Sequence, residues 1–407
     1  VEQVPTGKAD VVVLLADCRG AERLRAAATR VAEGVGAIAP ELQVLVLHLE
    51  ATAAGASLNG EYPQLSLQPS PYPLGALDRI PATTRGGSDP YAALFTSAHR
   101  AQARAALMVG SLADEVTPAL VRTLAQPVLD GQCDVVAPRY ARQKFDGLID
   151  SAIIYPLSRA LYGKRLRGQI GLDFGFSAHV AERWTGGEPA RGVDSVKARP
   201  AWIIPQAVAD DLSVGQANLA ARLPPSAAQD VSATLARVLG SLFLDIERHA
   251  PFWQRIIRSQ PVPTFGPVAS TIGEDGASPD VPPLIESFRL AYRNLQEIWG
   301  LVLPPATLLD LKRLTLLPDA DFRLPDELWA RIVYDFALGH RLRTINRDHL
   351  LGALTPAYLA WVASYALEIR DAPPLVVEER LERLCLAYEA QKPYLLRRWR
   401  WPDRFNP

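Results

Sequence analysis

The sequence predicts an α/β protein with a doubly wound, mostly parallel sheet, followed by an all-α C-terminal region. Three observations carry that expectation. Continuous apolar runs alternate with amphipathic stretches through the first part of the chain, which is the pattern of buried parallel strands crossed by helices. Residues 261–283 (PVPTFGPVASTIGEDGASPDVPP) are rich in proline, glycine and serine and read as a linker. Beyond them only helical patterning remains. The expected organisation is therefore a sheet domain over 1–260, a linker over 261–283 and a helical domain over 284–407.

Taken in order, Ala9–Ala16 (ADVVVLLA) reads as the first buried strand, Ala21–Gly34 as an amphipathic helix and Val44–Leu49 as the second strand. Short loops between them make this a right-handed βαβ unit. Residues 51–90 read as loop, with six prolines. Within them Arg85-Gly86-Gly87-Ser88 is either a phosphate cradle or, more commonly for a lone Gly-Gly pair, a turn. A helix over 91–106, a short strand over 106–109 and a helix over 117–129 with Pro118 in its first turn follow. The fourth strand, 135–137, is expected to stop at Pro138. Helices are expected at 153–161 and 178–184, an edge strand within 207–223, and a long amphipathic helix over 229–258. After the linker come helices at 284–300, 305–314, 325–343, 346–371 and 376–398.

Composition excludes several functions. The 407 residues include 43 basic and 44 acidic side chains, net charge −1, so nothing favours a nucleic-acid partner or an anionic membrane surface. Cys18, Cys133 and Cys385 have neither metal-ligand spacing nor a disulfide framework, which favours a reducing compartment. With no signal-like N-terminus and no long apolar run, the expectation is a cytoplasmic protein without a membrane span. His340 and His349 lack partners at ligand spacing and read as ordinary histidines. The basic and aromatic tail from Arg397 to Phe405 reads as a docking segment rather than a nucleic-acid contact.

The stretch from Cys133 to Ser177 gathers the candidate chemistry. Arg139, Arg142, Lys144 and Asp146 follow a buried strand, Lys164, Arg165 and Arg167 follow an apolar helix, and the stretch closes on Gly168-Gln169-Ile170-Gly171-Leu172-Asp173. Glycines there let backbone approach a ligand, and Asp173 sits among apolar neighbours that would perturb its carboxyl. Cations with Asp146 and Asp173 around one strand–helix unit suit an anionic ligand; a solvated turn followed by a tight structural one is the plain alternative. Asp17 and Glu50 fall at carboxyl ends of expected strands, where open α/β sheets bind ligands, although loop carboxylates are more often merely solvated.

These segments resemble the bacterial glycosyltransferases of the mannosylglycerate synthase and glucosyl-3-phosphoglycerate synthase type. The resemblance implies a GT-A (nucleotide-diphospho-sugar transferase-like) fold followed by helices. It assigns Asp17, Arg19, Glu50, Arg139, Lys144, Gln169 and Gly171 to the nucleotide sugar, Asp146 and Asp194 to the acceptor, and Asp173 to catalysis. It also implies Mg²⁺ or Mn²⁺, held by an Asp-x-Asp triplet and a later histidine, to neutralise the departing diphosphate. Counting back from Thr117-Pro118 puts Gly110, Ser111 and Leu112 at that triplet, and Pro224 falls in the late-ligand segment. None of Gly110, Leu112 or Pro224 has a side chain that ligates a metal, so no cofactor is expected. Leu172 likewise replaces a family glycine.

Two readings follow from the resemblance. In the first, the chain is a pseudo-glycosyltransferase that binds a nucleotide sugar, another small sugar ligand or a protein partner, with little or no metal-dependent transfer. The alternative is an active, metal-independent transferase moving a hexose from a nucleotide sugar to a small acidic acceptor such as a glycerate. There Arg19, Arg139, Lys144 and Arg167 would take the place of the cation. A homodimer or partner contact through the C-terminal helices is implied by the same resemblance. A dinucleotide-binding dehydrogenase ranks low, because no Gly-x-Gly-x-x-Gly follows the first strand.

Overall fold

The apolar run after Ala9 forms β1, Val11–Leu15, which is buried throughout. A computed structural model describes residues 8–16, 21–49, 74–80, 90–110, 112–168, 171–185, 200–222, 231–267, 272–273 and 277–402. After β1 come α1 (Ala21–Gly36), β2 (Val44–Leu49), β3 (Leu74–Ile80), α2 (Pro90–Arg100), β4 (Ala105–Val109) and α3 (Pro118–Leu129). Then follow β5 (Val135–Gln143), α4 (Tyr155–Tyr162), β6 (Phe174–Ser177), α5 (Ala178–Trp184), α6 (Pro200–Ala209) and β7 (Val214–Arg222). α7 (Val231–Arg248), α8 (Ala250–Trp253), β8 (Thr264–Phe265) and β9 (Ile272–Gly273) lead to the helices α9 (Val281–Asn294), α10 (Gln296–Val302) and α11 (Pro305–Thr315). The chain ends in α12 (Asp326–Leu342), α13 (Arg347–Ile369) and α14 (Pro374–Arg400).

The sheet has the order β3-β2-β1-β4-β6-β5-β7-β8, with β9 beside β5. All pairs are parallel except those of β6, which runs against both β4 and β5. The doubly wound, mostly parallel sheet and the all-helical C-terminal region are thus present. From β1 the chain goes outward to β2 and β3, then returns to place β4 on the other flank of β1. This reversal is a topological switch point, and crevices for ligands open beyond the carboxyl ends of such strands.

Three local expectations are corrected. β3 arises inside the proline-rich stretch read as loop, where LGALDRI pairs in parallel with β2. β5 runs past Pro138 to Gln143 rather than stopping there. Proline removes one donor, and β6 pairs with β5 at Val135 and Val136, so among the described residues no strand lies on that side of Pro138 to miss it. β7 is not the edge, because β8, from the stretch read as linker, pairs beyond it at Gln216 and Ala217.

Residues alternate between the two faces of the sheet, and each face has its own core. Val11, Val13, Val109, Val136 and Tyr140 pack with Leu24 and Val31 of α1 and Leu120 and Leu124 of α3. Leu14, Met108, Val135 and Ala137 join the other core, which continues without a break into Trp329, Trp361 and Tyr388 of the C-terminal helices. Trp329 Nε1 and Tyr388 Oη both donate to the Ala152 carbonyl at 3.0 Å, fixing α12 and α14 onto the segment before α4.

Charge completes that joint. Glu378, Glu382 and Glu389 recur at spacing that places them on one face of α14. Arg159 of α4, fully buried, donates to both carboxylate oxygens of Glu382 at 2.6 and 2.8 Å and to Glu389 at 2.8 Å. Lys392 Nζ reaches the Ala160 carbonyl at 2.9 Å, where the last turn of α4 leaves carbonyls without partners of their own. α13 is long and apolar enough to cross a membrane, but most of it is buried inside the bundle as a core helix. Of the basic and aromatic tail, residues 403–405 lie outside the described residues; Trp399 is buried, its ring 5.1 Å from Trp253 and 4.4 Å below the Arg341 guanidinium, while Trp401 is exposed. His340 is a core histidine, pushed down to about 4 by burial and by Arg347.

Candidate functional site

β1 and β4 are parallel neighbours, so their carboxyl ends finish side by side at the switch point. Ala16 ends one and Gly110 the other, and Ala16 N–H donates to the Val109 carbonyl at 2.9 Å. β6 runs antiparallel to β4, which brings the residues before Phe174 back to the same place. Gly110 and Leu112 therefore meet Asp173 although 63 and 61 residues separate them from it in sequence.

Asp173 is fully buried. Its Oδ1 accepts the Gly110 N–H at 2.9 Å and the Leu112 N–H at 3.4 Å. Its Oδ2 accepts the Tyr140 hydroxyl at 2.6 Å. Backbone N–H groups that turn toward one carboxylate make a small anion nest, and here the anion is internal. The nearby Tyr91 hydroxyl is pushed up by burial, with the Asp173 charge adding to it.

Two glycines make this packing possible. Gly171 has ordinary backbone angles, but a β-carbon there would overlap the Tyr140 ring and hydroxyl. Its smallness serves Tyr140, and through Tyr140 the hold on Asp173. Gly110 also has ordinary backbone angles, yet a β-carbon there would lie 2.7 Å from Leu172 Cβ and 3.3 Å from Ala16 Cβ. Gly110 and Leu172, two of the residues that depart from the motifs the resemblance implies, therefore lie against each other.

These residues do not fit a divalent cation. A metal at the end of β4 needs carboxylate oxygens directed outward. Gly110 and Leu112 have none, Leu172 fills the space a side chain at 110 would need, and the oxygens of Asp173 are turned inward onto N–H and O–H donors. Among the described residues, no three His, Cys, Asp or Glu side chains come together as a metal-binding group.

The remaining candidates separate. Asp17, Arg19, Glu50, Ser111, Gln169, Asp194 and Pro224 lie outside the described residues. Asp146 Oδ2 accepts the Gln143 N–H at 2.8 Å and closes its own turn. Lys144 Nζ donates to the Arg370 carbonyl, 3.4 Å away at the end of α13. Arg139 lies on the opposite face of β5 from Tyr140, by the alternation that puts Ala137 and Val136 in different cores. There it faces Glu378 at 3.9 Å, and Glu378 also pairs closely with Arg167. Arg139 is lowered by burial and by the charges of Arg167 and Arg142. Sequence reading missed Tyr140 and Glu378; the one local hint was a tyrosine in a strand whose loop partner is glycine-rich.

No family model matches the sequence, and no curated protein does. Among solved structures, the chain is similar to glucosyl-3-phosphoglycerate synthase from Mycobacterium tuberculosis in complex with uridine diphosphate, at 14% identity, over 58% of this chain and 80% of that one, TM-score 0.37. The same enzyme with Mn²⁺, UDP-glucose and phosphoglyceric acid gives 14%, 58%, 79% and 0.37. A further structure, described as a mycobacterial protein, gives 15% identity over 58% of this chain and 74% of that one, TM-score 0.36.

Proposed function

We propose that the chain is a glycosyltransferase-like protein of GT-A type whose metal clamp has been replaced by apolar packing, so that it works by binding rather than by metal-dependent sugar transfer. Its ligand would be a nucleotide sugar or another small sugar, taken up beyond the carboxyl ends of β1 and β4. The observation that carries this reading is the Gly110–Leu172 contact over an inward-turned Asp173. A catalytic GT-A site needs a charge to steady the leaving diphosphate, and fold without that site does not carry the activity.

Calorimetric titration of UDP- and GDP-sugars, with and without Mn²⁺, tests it. The expected result is weak binding that the metal leaves unchanged. Tight binding that Mn²⁺ strengthens would overturn the reading. Release of the nucleoside diphosphate with a glycerate acceptor, in the absence of metal, would establish the active alternative.

A further inference from the structure

We propose that the end of the molecule where the segment after α8 packs beside the last turns of α14 is a docking surface for an anionic membrane, held by Arg255, Arg258, Arg397 and Arg400 and entered by Ile257 and Trp401. The protein lies on the bilayer there without spanning it. This inference does not depend on the transferase-like reading.

Two segments far apart in sequence build the surface. Trp253 of α8 packs against Trp399 with ring centres 5.1 Å apart. The Arg400 side chain donates to Gln254 Oε1 at 3.3 Å, and Lys392 Nζ donates to the Ile256 carbonyl at 2.7 Å. Trp253, Trp399 and Lys392 are buried by these contacts. What is left outside is of two kinds. Arg255, Arg258, Arg397 and Arg400 are exposed. Ile257 is 90% exposed and Trp401 73%, and with Leu316 they are the most exposed large apolar side chains among the described residues. The end of α12 adjoins: Arg341 donates to the Trp399 carbonyl at 2.7 Å, and Leu342 and Arg343 after it are exposed.

Net charge hides this place. The whole chain carries −1, yet no Asp or Glu occurs between Arg248 and Gly266 or between Ala390 and Pro402. Among the described residues no carboxylate pairs with Arg255, Arg258, Arg397 or Arg400. The acids that approach the two segments have other partners: Asp335 holds Arg398, Glu389 holds Arg159 and Glu247 holds Arg347. A basic surface of this kind attracts an anionic leaflet, each arginine near it strengthening binding about fivefold. The apolar pair decides between anionic partners. An indole at a helix end suits the lipid–water boundary, and an aliphatic side chain standing in water gains by entering the acyl region. A protein partner would need a pocket of its own shaped to Ile257 and Trp401, whereas a bilayer receives protruding side chains without matching their shape. A nucleic acid could stack on Trp401 but offers nothing to Ile257.

The test is co-sedimentation of the full chain with vesicles of phosphatidylcholine alone and of phosphatidylcholine mixed equally with phosphatidylglycerol. Binding to the mixed vesicles at low ionic strength is expected, fading as salt is added, with little binding to phosphatidylcholine alone. Arg255→Gln with Arg258→Gln should weaken it about 25-fold, and Arg397→Gln with Arg400→Gln by a similar factor. Of the eight tryptophans Trp401 alone is exposed, so quenching of tryptophan fluorescence by brominated acyl chains reports its insertion. Quenching is expected in the wild type, and Trp401→Ser should remove it. Absence of binding to the mixed vesicles would overturn the proposal. So would binding that both arginine pairs leave unchanged, or binding without quenching, which would place the contact on another face. Capture of a single-stranded oligonucleotide in place of the vesicles would give the surface to nucleic acid and overturn it as well.

Discussion

Leu172 occupies the space that a side chain at Gly110 would need. A β-carbon at 110 would come within 2.7 Å of Leu172 Cβ, an atom that no rotamer change can move away. Gly110→Ala alone should therefore cost about 1–3 kcal/mol through overpacking. Paired with Leu172→Gly the clash with Leu172 disappears, leaving only the 3.3 Å approach to Ala16 Cβ, and a double-mutant cycle in urea should give a favourable coupling of about 1 kcal/mol or more. Simple additivity would mean that the contact does not decide what residue 110 can be.

The carboxylate of Asp173 anchors the end of β4 from inside. Tyr140→Phe removes one donor from a buried carboxylate and should cost about 1–3 kcal/mol. Asp173→Ala strands the Gly110 and Leu112 N–H groups and should cost at least as much, whereas Asp173→Asn keeps an acceptor for them and should recover most of the loss. Chemical denaturation measures all three. If the asparagine variant is as unstable as the alanine one, shape and hydrogen bonding are not what Asp173 supplies.

Arg159 and Glu382 give the joint between sheet and helices its acid limit. Hydrogen bonding from Arg159 is the largest influence on Glu382, holding its carboxyl below the ordinary 4.5 against the effect of burial. A group whose folded-state pKa is depressed contributes stability that is present above its unfolded value and is lost as pH falls through the folded one. Unfolding midpoints should therefore drop below about pH 4.5, less so in Glu382→Gln. Arg159→Met, which removes the hydrogen bonds to the part-exposed Glu382 and Glu389 carboxylates, should cost about 1–3 kcal/mol.

Asp245 on α7 shows the opposite sign. Burial raises its carboxyl to about 7, and Arg248 offsets this only in part. The folded state then binds a proton more tightly than the unfolded chain, so stability falls as pH rises from near 3.8 to about 7 and is level above. Asp245→Asn should gain roughly 1–3 kcal/mol at about pH 8 and nothing near pH 4. Thermal unfolding at the two pH values checks it; an equal gain at both would mean that ionisation is not involved.

Much of this fold is legible in the chain. VVVLL, VLVLHL and AALMV are apolar throughout because parallel strands are covered on both faces, and such runs announce themselves without neighbours. LGALDRI does not, carrying Asp78 and Arg79 inside a proline-rich stretch; it becomes β3 only because β2 offers it a ladder. Likewise Pro138 reads as a stop until it is known which side of β5 has lost its partner.

By itself the sequence determined that a doubly wound sheet would precede a helical region, that Gly110 and Leu112 could not hold a metal through side chains, and that Gly171 and Asp173 stand two residues apart in one glycine-rich stretch. Only the tertiary structure decided what they do there. Tyr140 lies 33 residues from Asp173, and Glu378 lies 211 residues from Arg167. Propensity and periodicity act over a few residues, whereas a hydrogen bond or an ion pair depends on distance in space. Nothing local could tell that a carboxylate suited to a substrate would face inward, or that a leucine would close over a glycine.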